Sequence, residues 1–562
     1  MKGPVALLAL LSAASANASA QDITPELPRI YLNTAAVTAP AAGRTIIKVS
    51  SGDNLQAALG KAQPGDVIEL AKGASFTGNF ILPNKNTTST NWIVIRPANY
   101  NSLPAEGTRM TPTVAASLAL PQILTPNSNH AIKTAAGAHH YRLVGLNVGV
   151  APSVTQSYGL IGLDGEQRTE DGIPHDLILD RMFIHGLPEV ALRRCVTFNS
   201  ASSAVIDSWL SECHDRGSDS QAIAGWNGPG PFKIVNNYLE AAGENIIFGG
   251  SDPAVKGLTP SDMEIRRNHF TKLLSWKNGK WLVKNLFELK HAQRVLLEGN
   301  ILENNWEHGQ NGTAIAIKSV NQNGSCTWCV TQDVTIRFNL IRNVGAGSNV
   351  AGAPDNKFPT GQTRRIAITD NVFANINVGE FKGDGRGFAT FGTPMEVLIA
   401  HNTMMSPTNA AFVFGPAHSR VMSFSAHDNI VGGGNYGILG DNFVGAAAFA
   451  NYAPGGTFLG NVMIGPRPGT QYPVGNAYPT SAAGAVSAYP DAPVATAYQD
   501  AASTAPCVQT IGYGYEPPAY ASRYGVRMVR PRVVIEEPVA PVYQERRVTR
   551  RGRSFAHRAR TA

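Results

Sequence analysis

Three side chains in this sequence have the types and spacing for proton transfer. In Leu286-Phe-Glu-Leu-Lys290 the apolar residues alternate with polar ones, so a strand places Phe287 and Leu289 on one face and Glu288 and Lys290 on the other. Ala314-Ile-Ala-Ile-Lys318 repeats the pattern, with Ile315 and Ile317 inside and Lys318 outside. If these strands lie side by side at about 4.8 Å, Lys290 stacks beside Lys318, with Glu288 two residues away on the same face. Two ammonium groups that close disfavour each other's protonation, so one lysine is expected to shift toward a neutral general base, with Glu288 moderating the repulsion. A lysine base beside a second cation suits removal of the proton α to a carboxylate, because the enolate-like charge must be stabilised. That is the chemistry of β-elimination in a uronic-acid polysaccharide. The alternative is a salt-bridged surface ladder that keeps the protein soluble.

A second set of candidates lies in loops. His214-Asp215-Arg216 with Asp219, Glu244-Asn245 and Glu307-His308 are expected at the same edge of a groove, where they could supply acid, base or substrate contacts. Asp164 is a further candidate for a metal or sugar contact. Asp, Asn and Gly are also the usual turn formers, so the same residues could simply shape loops. Trp226, Trp276, Trp281, Trp306 and Trp328 fall outside the periodic apolar positions, either as platforms for sugar rings or as covers for the side of the molecule. The adjacent Asp pair and Gly-His-Gly of polygalacturonases are missing, which counts against that hydrolase branch, and the absence of P-loop, HExxH and GxSxG motifs sets nucleotide, zincin and α/β-hydrolase chemistry aside.

These residues must be held by a repeating scaffold, and one residue serves as its ruler. Asn237, Asn268, Asn300, Asn339, Asn371, Asn402, Asn429 and Asn461 recur in an I-x-x-N-x-hydrophobic frame, separated by 31, 32, 39, 32, 31, 27 and 32 residues. Two earlier segments fit without the Asn, at Ile178-Leu-Asp-Arg181 and Val205-Ile-Asp-Ser208. Asn tolerates the left-handed backbone of a sharp corner, and stacked amides can hydrogen-bond from coil to coil. The period predicts a right-handed parallel β-helix, an all-β solenoid whose coils bury apolar residues only against their neighbours and whose ends need caps. Asp53 is expected to N-cap a short helix carrying Leu55, Ala58 and Leu59, with Val67-Ile-Glu-Leu70 as the first rung.

The cap helix followed by Gly65-Asp66-Val67-Ile68-Glu69-Leu70, together with the Asn ladder, resembles the pectin-lyase-like superfamily of right-handed β-helices across roughly residues 45–465. That superfamily includes lyases, hydrolases, epimerases, esterases, tailspikes and adhesins, so the resemblance implies fold more than activity. Within it, Glu288-x-Lys290 is loosely similar to the alginate and chondroitin B lyases, for which the resemblance implies a Lys base, an Arg acid and Ca²⁺ at the substrate carboxylate. No Arg matches by position, and Arg193, Arg194, Arg216 and Arg294 are the candidates.

Residues 1–20 read as a signal peptide, with Lys2, an apolar run from Val5 to Leu11 and Ala18-Ser19-Ala20 before Gln21, which predicts a secreted, periplasmic or cell-surface protein. Residues 21–44 read as a linker, and 466–562 as an Ala/Pro/Gly/Tyr-rich disordered tail with an Arg-rich end. Seven arginines between Arg546 and Arg560 carry nearly all of the net charge of +7, so the body is close to neutral and no specific nucleic-acid binding is expected. The tail is either a solvated end or an electrostatic contact with an anionic surface. Of five cysteines, Cys195 and Cys213 fall in successive coils and could pair. Cys326-Thr-Trp-Cys329 is a local disulfide, a pair of free thiols or a redox or metal motif, and Cys507 stands alone.

The sequence thus predicts an exported, monomeric polysaccharide lyase acting on an acidic glycan. Lys290 and Lys318 are its base and stabiliser, and Glu288 orients them. Asp215, Arg216, Glu244, Asn245, Trp306 and His308 are expected to contact the polysaccharide substrate. A hydrolase or epimerase using carboxylates, and a non-catalytic polysaccharide-binding β-helix, are the alternatives.

Overall fold

A computed structural model describes residues 23–37, 39–352, 357–404 and 407–482. The segment read as a signal peptide (residues 1–20), Cys507 and the Arg-rich end lie outside the described residues. The chain winds into a right-handed parallel β-helix with three long sheets of 14, 12 and 13 strands, in each of which neighbouring long strands pair in parallel. One continuous apolar core runs along the axis, from Leu55 and Leu59 near one end to Phe458 and Met463 at the other. Burying a Leu, Ile or Phe contributes about 1.5–3 kcal/mol, so the inward stack is the main stabilising term.

The Asn ladder runs down this core. Each amide donates through Nδ2 to the Oδ1 of the next Asn at 2.8–3.0 Å, and that oxygen also accepts the backbone N–H of the preceding Asn. Ladder residues from Asn237 to Asn461 are at most 2% exposed. The left-handed residue is not the ladder Asn but the one before it: Asn236, Arg267, Gly299, Phe338, Asp370, His401, Asp428 and Gly460 have positive φ. The Asn must point inward to meet its neighbour's amide, and the tight turn falls one residue earlier. Toward the N-terminus, Ser208 continues the ladder with its hydroxyl, which accepts the Met182 N–H at 2.9 Å. Because Asp180 pairs with Ile206, Met182 rather than Arg181 occupies the frame position, a one-residue correction to the sequence alignment.

Both ends differ from expectation. The first strand is Ile46–Val49, which precedes the cap helix Leu55–Lys61 and pairs with Val67–Leu70. Asn54, not Asp53, caps that helix by accepting from Ala57 N, while Asp53 accepts from Ser50 N. Residues 466–482 belong to the solenoid's end rather than to a tail: Asn476 Oδ1 accepts the Asn461 N–H and Nδ2, adding a last step to the ladder.

The segment expected as a linker is a strap across the 14-stranded sheet. Glu26 N donates to Asp333, Arg29 N to Asp262, Lys233 donates to Leu32 O, and Arg142 donates to Thr34 O and Ala35 O. Asp262 and Asp333 also bind Arg294 and Arg365, so the strap seals a row of ion pairs on the sheet's outer face. Cys195 and Cys213 form a disulfide between strand Arg194–Phe198 of the 12-stranded sheet and strand Trp209–Cys213 of the 13-stranded sheet. Among the described residues no helix is long and apolar enough to cross a membrane.

Candidate functional site

The site lies on the outer face of the 12-stranded sheet, where the core-facing alternation leaves every second side chain pointing outward. Strand Phe287–Leu289 pairs with Thr313–Ile317 through Phe287 with Ile315 and Leu289 with Ile317, all four buried in the core. That register puts Lys290 beside Lys318 just past the strand ends, and the backbone confirms it: Lys318 N donates to Leu289 O and Val320 N to Lys290 O. The two ammonium groups do not face each other across an open gap. Both reach the same carboxylate oxygen, Glu288 Oε1, from 3.6 Å for Lys290 and 3.1 Å for Lys318. Glu288 is fully buried, which by itself would raise its pKa. Lys290 and Lys318 outweigh burial and hold it down at about 2. The other oxygen, Oε2, accepts from Asn285 Nδ2 at 3.1 Å.

A second lysine and carboxylate cluster sits beside the first. Lys284 lies 2.6 Å from Asp219 and 3.6 Å from Glu244 Oε1. Glu244 starts the neighbouring strand Glu244–Phe248, is fully buried, and accepts from Gln221 Nε2 at 2.8 Å through Oε2. Its Oε1 accepts no hydrogen bond. Burial, with the charges of Glu288 and Asp219, pushes its pKa up to about 7 against the opposing pull of Lys284. Adjacent carboxyl groups are therefore driven apart: Glu288 stays ionised and Glu244 holds its proton near neutrality. In register with Glu244 and Gln221 on the next strand, Arg194 stacks over Trp226 at 5.1 Å. Burial and Arg193 lower its pKa to about 10, and Glu244, Asp219 and Asp164 oppose that shift.

One consequence is testable in the pH dependence of stability. Glu244's folded pKa is raised above its ordinary 4.5, so its stabilising contribution is complete below about pH 4.5 and is lost as pH rises through about 7. The sign is opposite for Glu288, whose contribution is present above about pH 4.5 and is lost as pH falls through about 2. Glu244→Gln keeps the bond to Gln221 and cannot ionise. Its melting midpoint is expected to decline less than that of the wild type between about pH 5 and about pH 8. Parallel declines in the two proteins would remove Glu244 as the titrating group.

Beneath these clusters is a residue the sequence pattern did not mark. Lys272 is fully buried, and its ammonium donates to Ala241 O, Gly243 O, Asn285 O and Asn245 Oδ1 at 2.7–3.2 Å. Burial pulls its pKa to about 7, opposed by Glu244. It pins together the two turns that carry Glu244 and Asn285. Nothing in the periodicity signals it, since a lysine just past a strand reads as solvated.

Two walls flank the lysines. On one side Asp252 accepts from Gln322 N, Asn323 N, Ser325 N and Ser325 Oγ, which ties the loop after Glu244–Phe248 to the loop holding the Cys326–Cys329 disulfide. That disulfide decides between the readings of the CxxC pair. Trp328 Nε1 donates to Leu258 O within the same wall. Gly249, at φ +93°, lets the wall approach: a Cβ there would lie 2.8 Å from Lys290 Cβ. Trp276, Trp281 and Trp306 pack with Ala242, Val283 and Phe381 into a satellite core on the other side. Trp306 is 3% exposed, so it covers the helix and does not offer a platform to sugar.

The remaining expected contacts are distributed unevenly. Asp215 is buried and its Oδ1 accepts from Gly217 N and Ser218 N, so it shapes its own turn. Asn245 is buried, donating to Leu239 O and Thr271 O and accepting from Lys272. Arg216 is exposed and lies over Trp281 at 5.7 Å. His308 is exposed, with Nδ1 accepting from Val283 N. Asp164 pairs with Lys133 farther along the same sheet. Arg294 is on the 14-stranded sheet with Asp262, away from the lysines.

Ca²⁺ takes six to eight oxygens, and the carboxylates here do not fit it. Asp219 and Glu244 share the Lys284 ammonium, and Glu288 shares those of Lys290 and Lys318. Lysine nitrogens already occupy the positions where a cation would meet these oxygens.

No protein-family model and no curated protein matches the chain. Among solved structures it is similar to an alginate lyase from Paenibacillus sp. str. FPU-7, at 14% identity over 78% of this chain and 98% of that one, with a TM-score of 0.25. A mannuronic acid specific family 6 lyase from human gut microbiota matches at 12% identity over 75% and 86% of the two chains, with a TM-score of 0.42. A family 28 exopolygalacturonase of Yersinia enterocolitica matches at 12% identity over 69% and 79%, with a TM-score of 0.32.

Proposed function

We propose that this chain is an exported carbohydrate-active enzyme that cleaves an acidic polysaccharide by β-elimination at the Lys290–Lys318 site. The observation that carries this reading is the layering of charge. Glu244 and Glu288 are 0% exposed at their side chains, whereas Lys284, Lys290 and Lys318 are 16%, 13% and 30% exposed. Solvent meets these three ammonium groups and one partly exposed carboxylate, Asp219 against Lys284, above the two buried carboxyls, so the surface carries net positive charge. Such a surface attracts a polyanion and gives a neutral glycan no comparable advantage.

In the proposed reaction a uronate carboxylate lies against the lysine cluster, which stabilises the charge that develops as the α proton leaves. Lys290 Nζ, after passing its own proton to solvent, takes that proton. Lys318, held by Glu288, supplies the positive charge beside it. The C4–O bond then breaks as the C4=C5 double bond forms, and the departing sugar oxygen takes up the proton now on Lys290 or one from water, leaving an unsaturated uronide. Glu288 and Glu244 are positioning residues here, since neither reaches solvent.

The test is ultraviolet absorbance of unsaturated uronide while the protein is incubated with acidic and neutral polysaccharides. A rise with a uronate polymer supports elimination. New reducing ends without a rise would assign hydrolysis, and retention of polymer without cleavage would assign binding alone. Because lysines already meet the carboxylates, addition of EGTA is expected to change the elimination rate less than ~2-fold, whereas a site that needs Ca²⁺ at the substrate carboxylate loses activity on chelation.

A further inference from the structure

A group of imidazoles on the 14-stranded sheet takes no part in the site above. His139 and His140 open strand His139–Val144, and His175 and Asp176 open strand His175–Asp180, with His139 paired to His175. An ordinary strand would send His139 and His140 to opposite faces. Here His140 has φ +57° and Asp176 φ +53°, and this left-handed step brings both imidazoles of the first strand to one face. His139 and His175 stack parallel at 4.8 Å, and His140 stands edge-on to both, at 4.9 and 6.0 Å.

Nitrogen positions matter more than ring contacts. His139 Nε2 is 3.0 Å from the Thr87 carbonyl, which can only accept, so Nε2 carries the hydrogen and Nδ1 of the neutral ring has a lone pair. That lone pair points at His140 Nδ1, 2.7 Å away. One ligand nitrogen from each of the three histidines lies within 4.8 Å of the others. A carbonyl behind one ring, fixing its tautomer, is the support metal-bound histidines ordinarily have. Asp176 Oδ2 lies 2.7 Å from His175 Nδ1 and 3.9 Å from His140 Nε2, and Trp92 covers His140 at 5.3 Å.

We propose that His139, His140 and His175 form a transition-metal site that takes one divalent ion of the zinc class, with Asp176 beside it as a carboxylate partner. Neutral imidazoles select Zn²⁺, Cu²⁺ or Ni²⁺ over Ca²⁺ or Mg²⁺. Tetrahedral Zn²⁺ with bonds of about 2.0–2.1 Å needs ligand nitrogens about 3.3 Å apart, so the Nδ1 pair has to open slightly, and the hydrogen that His140 Nδ1 shares with His139 moves to His140 Nε2, on the side of Asp176, when the ion binds. The ion would join two successive coils and, through Thr87, the segment that lies over them.

The experiment is titration of the full chain, carrying no histidine tag, with Zn²⁺, and with Co²⁺ for its visible absorption. One equivalent is expected to bind with a tetrahedral Co²⁺ spectrum and a raised melting midpoint. His140→Ala is expected to weaken binding more than ~10-fold. His401→Ala, in the separate His401, His427 and Asp428 group, is expected to leave it unchanged. If His140→Ala does not fold, His175→Gln provides the same comparison. Absence of stoichiometric Zn²⁺ binding, or binding that survives the substitution at His140 or His175, overturns the proposal.

Discussion

Lys290→Ala is expected to lower the rate of unsaturated uronide formation by about 10²–10⁴-fold, the range over which a positioned base contributes. The melting midpoint should stay near that of the wild type, because Glu288 keeps Lys318 at 3.1 Å and Asn285 at 3.1 Å. Lys290→Arg separates two roles. Arginine restores the positive charge but does not give up its proton, so it rescues an electrostatic role and fails to rescue a base. Arg at 290 is expected to be as slow as Ala, while Lys318→Arg retains most of the activity. If Arg at 290 restores the rate, Lys290 is an electrostatic stabiliser and the base lies elsewhere. An unchanged rate in Lys290→Ala would move the chemistry off this sheet.

Asn300→Leu is expected to be the most destabilising single change of its size in the solenoid, at about 3–5 kcal/mol. Asn300 Oδ1 accepts from Asn268 N at 2.8 Å and from Asn268 Nδ2 at 3.0 Å, while its own Nδ2 donates to Ile265 O and Asn339 Oδ1. Leucine removes all four bonds and strands polar groups that are nearly inaccessible to water, each costing about 1–3 kcal/mol less whatever local relaxation recovers. Asn300→Ser should lose much less, because Ser208 already serves the ladder with a hydroxyl acceptor. Thermal or urea unfolding of the two variants tests this. Equal losses would mean that packing, rather than the acceptor, makes the position sensitive.

The same two sites show how sequence and structure divided the information. The eight in-frame asparagines identified the coil because a solenoid repeats one local solution, and a repeated local solution leaves a period in the sequence. Alternation around Glu288 and around Lys318 identified which side chains face outward, since a strand's faces are fixed by a period of two. The left-handed corner was misplaced by one residue: an Asn that tolerates that backbone and an Asn that stacks by its amide look alike in sequence. At Ile178 to Arg181 the missing Asn removed the ruler, and the alignment slipped by one.

Side chains from loops were a different matter. Asp215, Asn245 and Trp306 are polar or aromatic residues outside the period, and such residues either reach a ligand or satisfy their own loop. Only the fold determines which, and here Asp215 binds its own turn, Asn245 the Lys272 cage and Trp306 a satellite core. Lys272, Lys284 and Asn285 carried no signal, because their meaning comes from carbonyls and carboxylates that long-range winding brings to them.

By itself the sequence determined the parallel coil, the ladder that runs down it and the outward placement of Glu288, Lys290 and Lys318, because each follows from a period within one chain segment. Tertiary structure alone decided that one buried carboxylate serves both lysines, that lysines stand where a cation would meet the carboxylates, and that three histidines converge on the 14-stranded sheet. Those arrangements depend on distances between coils, and the stacking of coils, not the local chain, sets them.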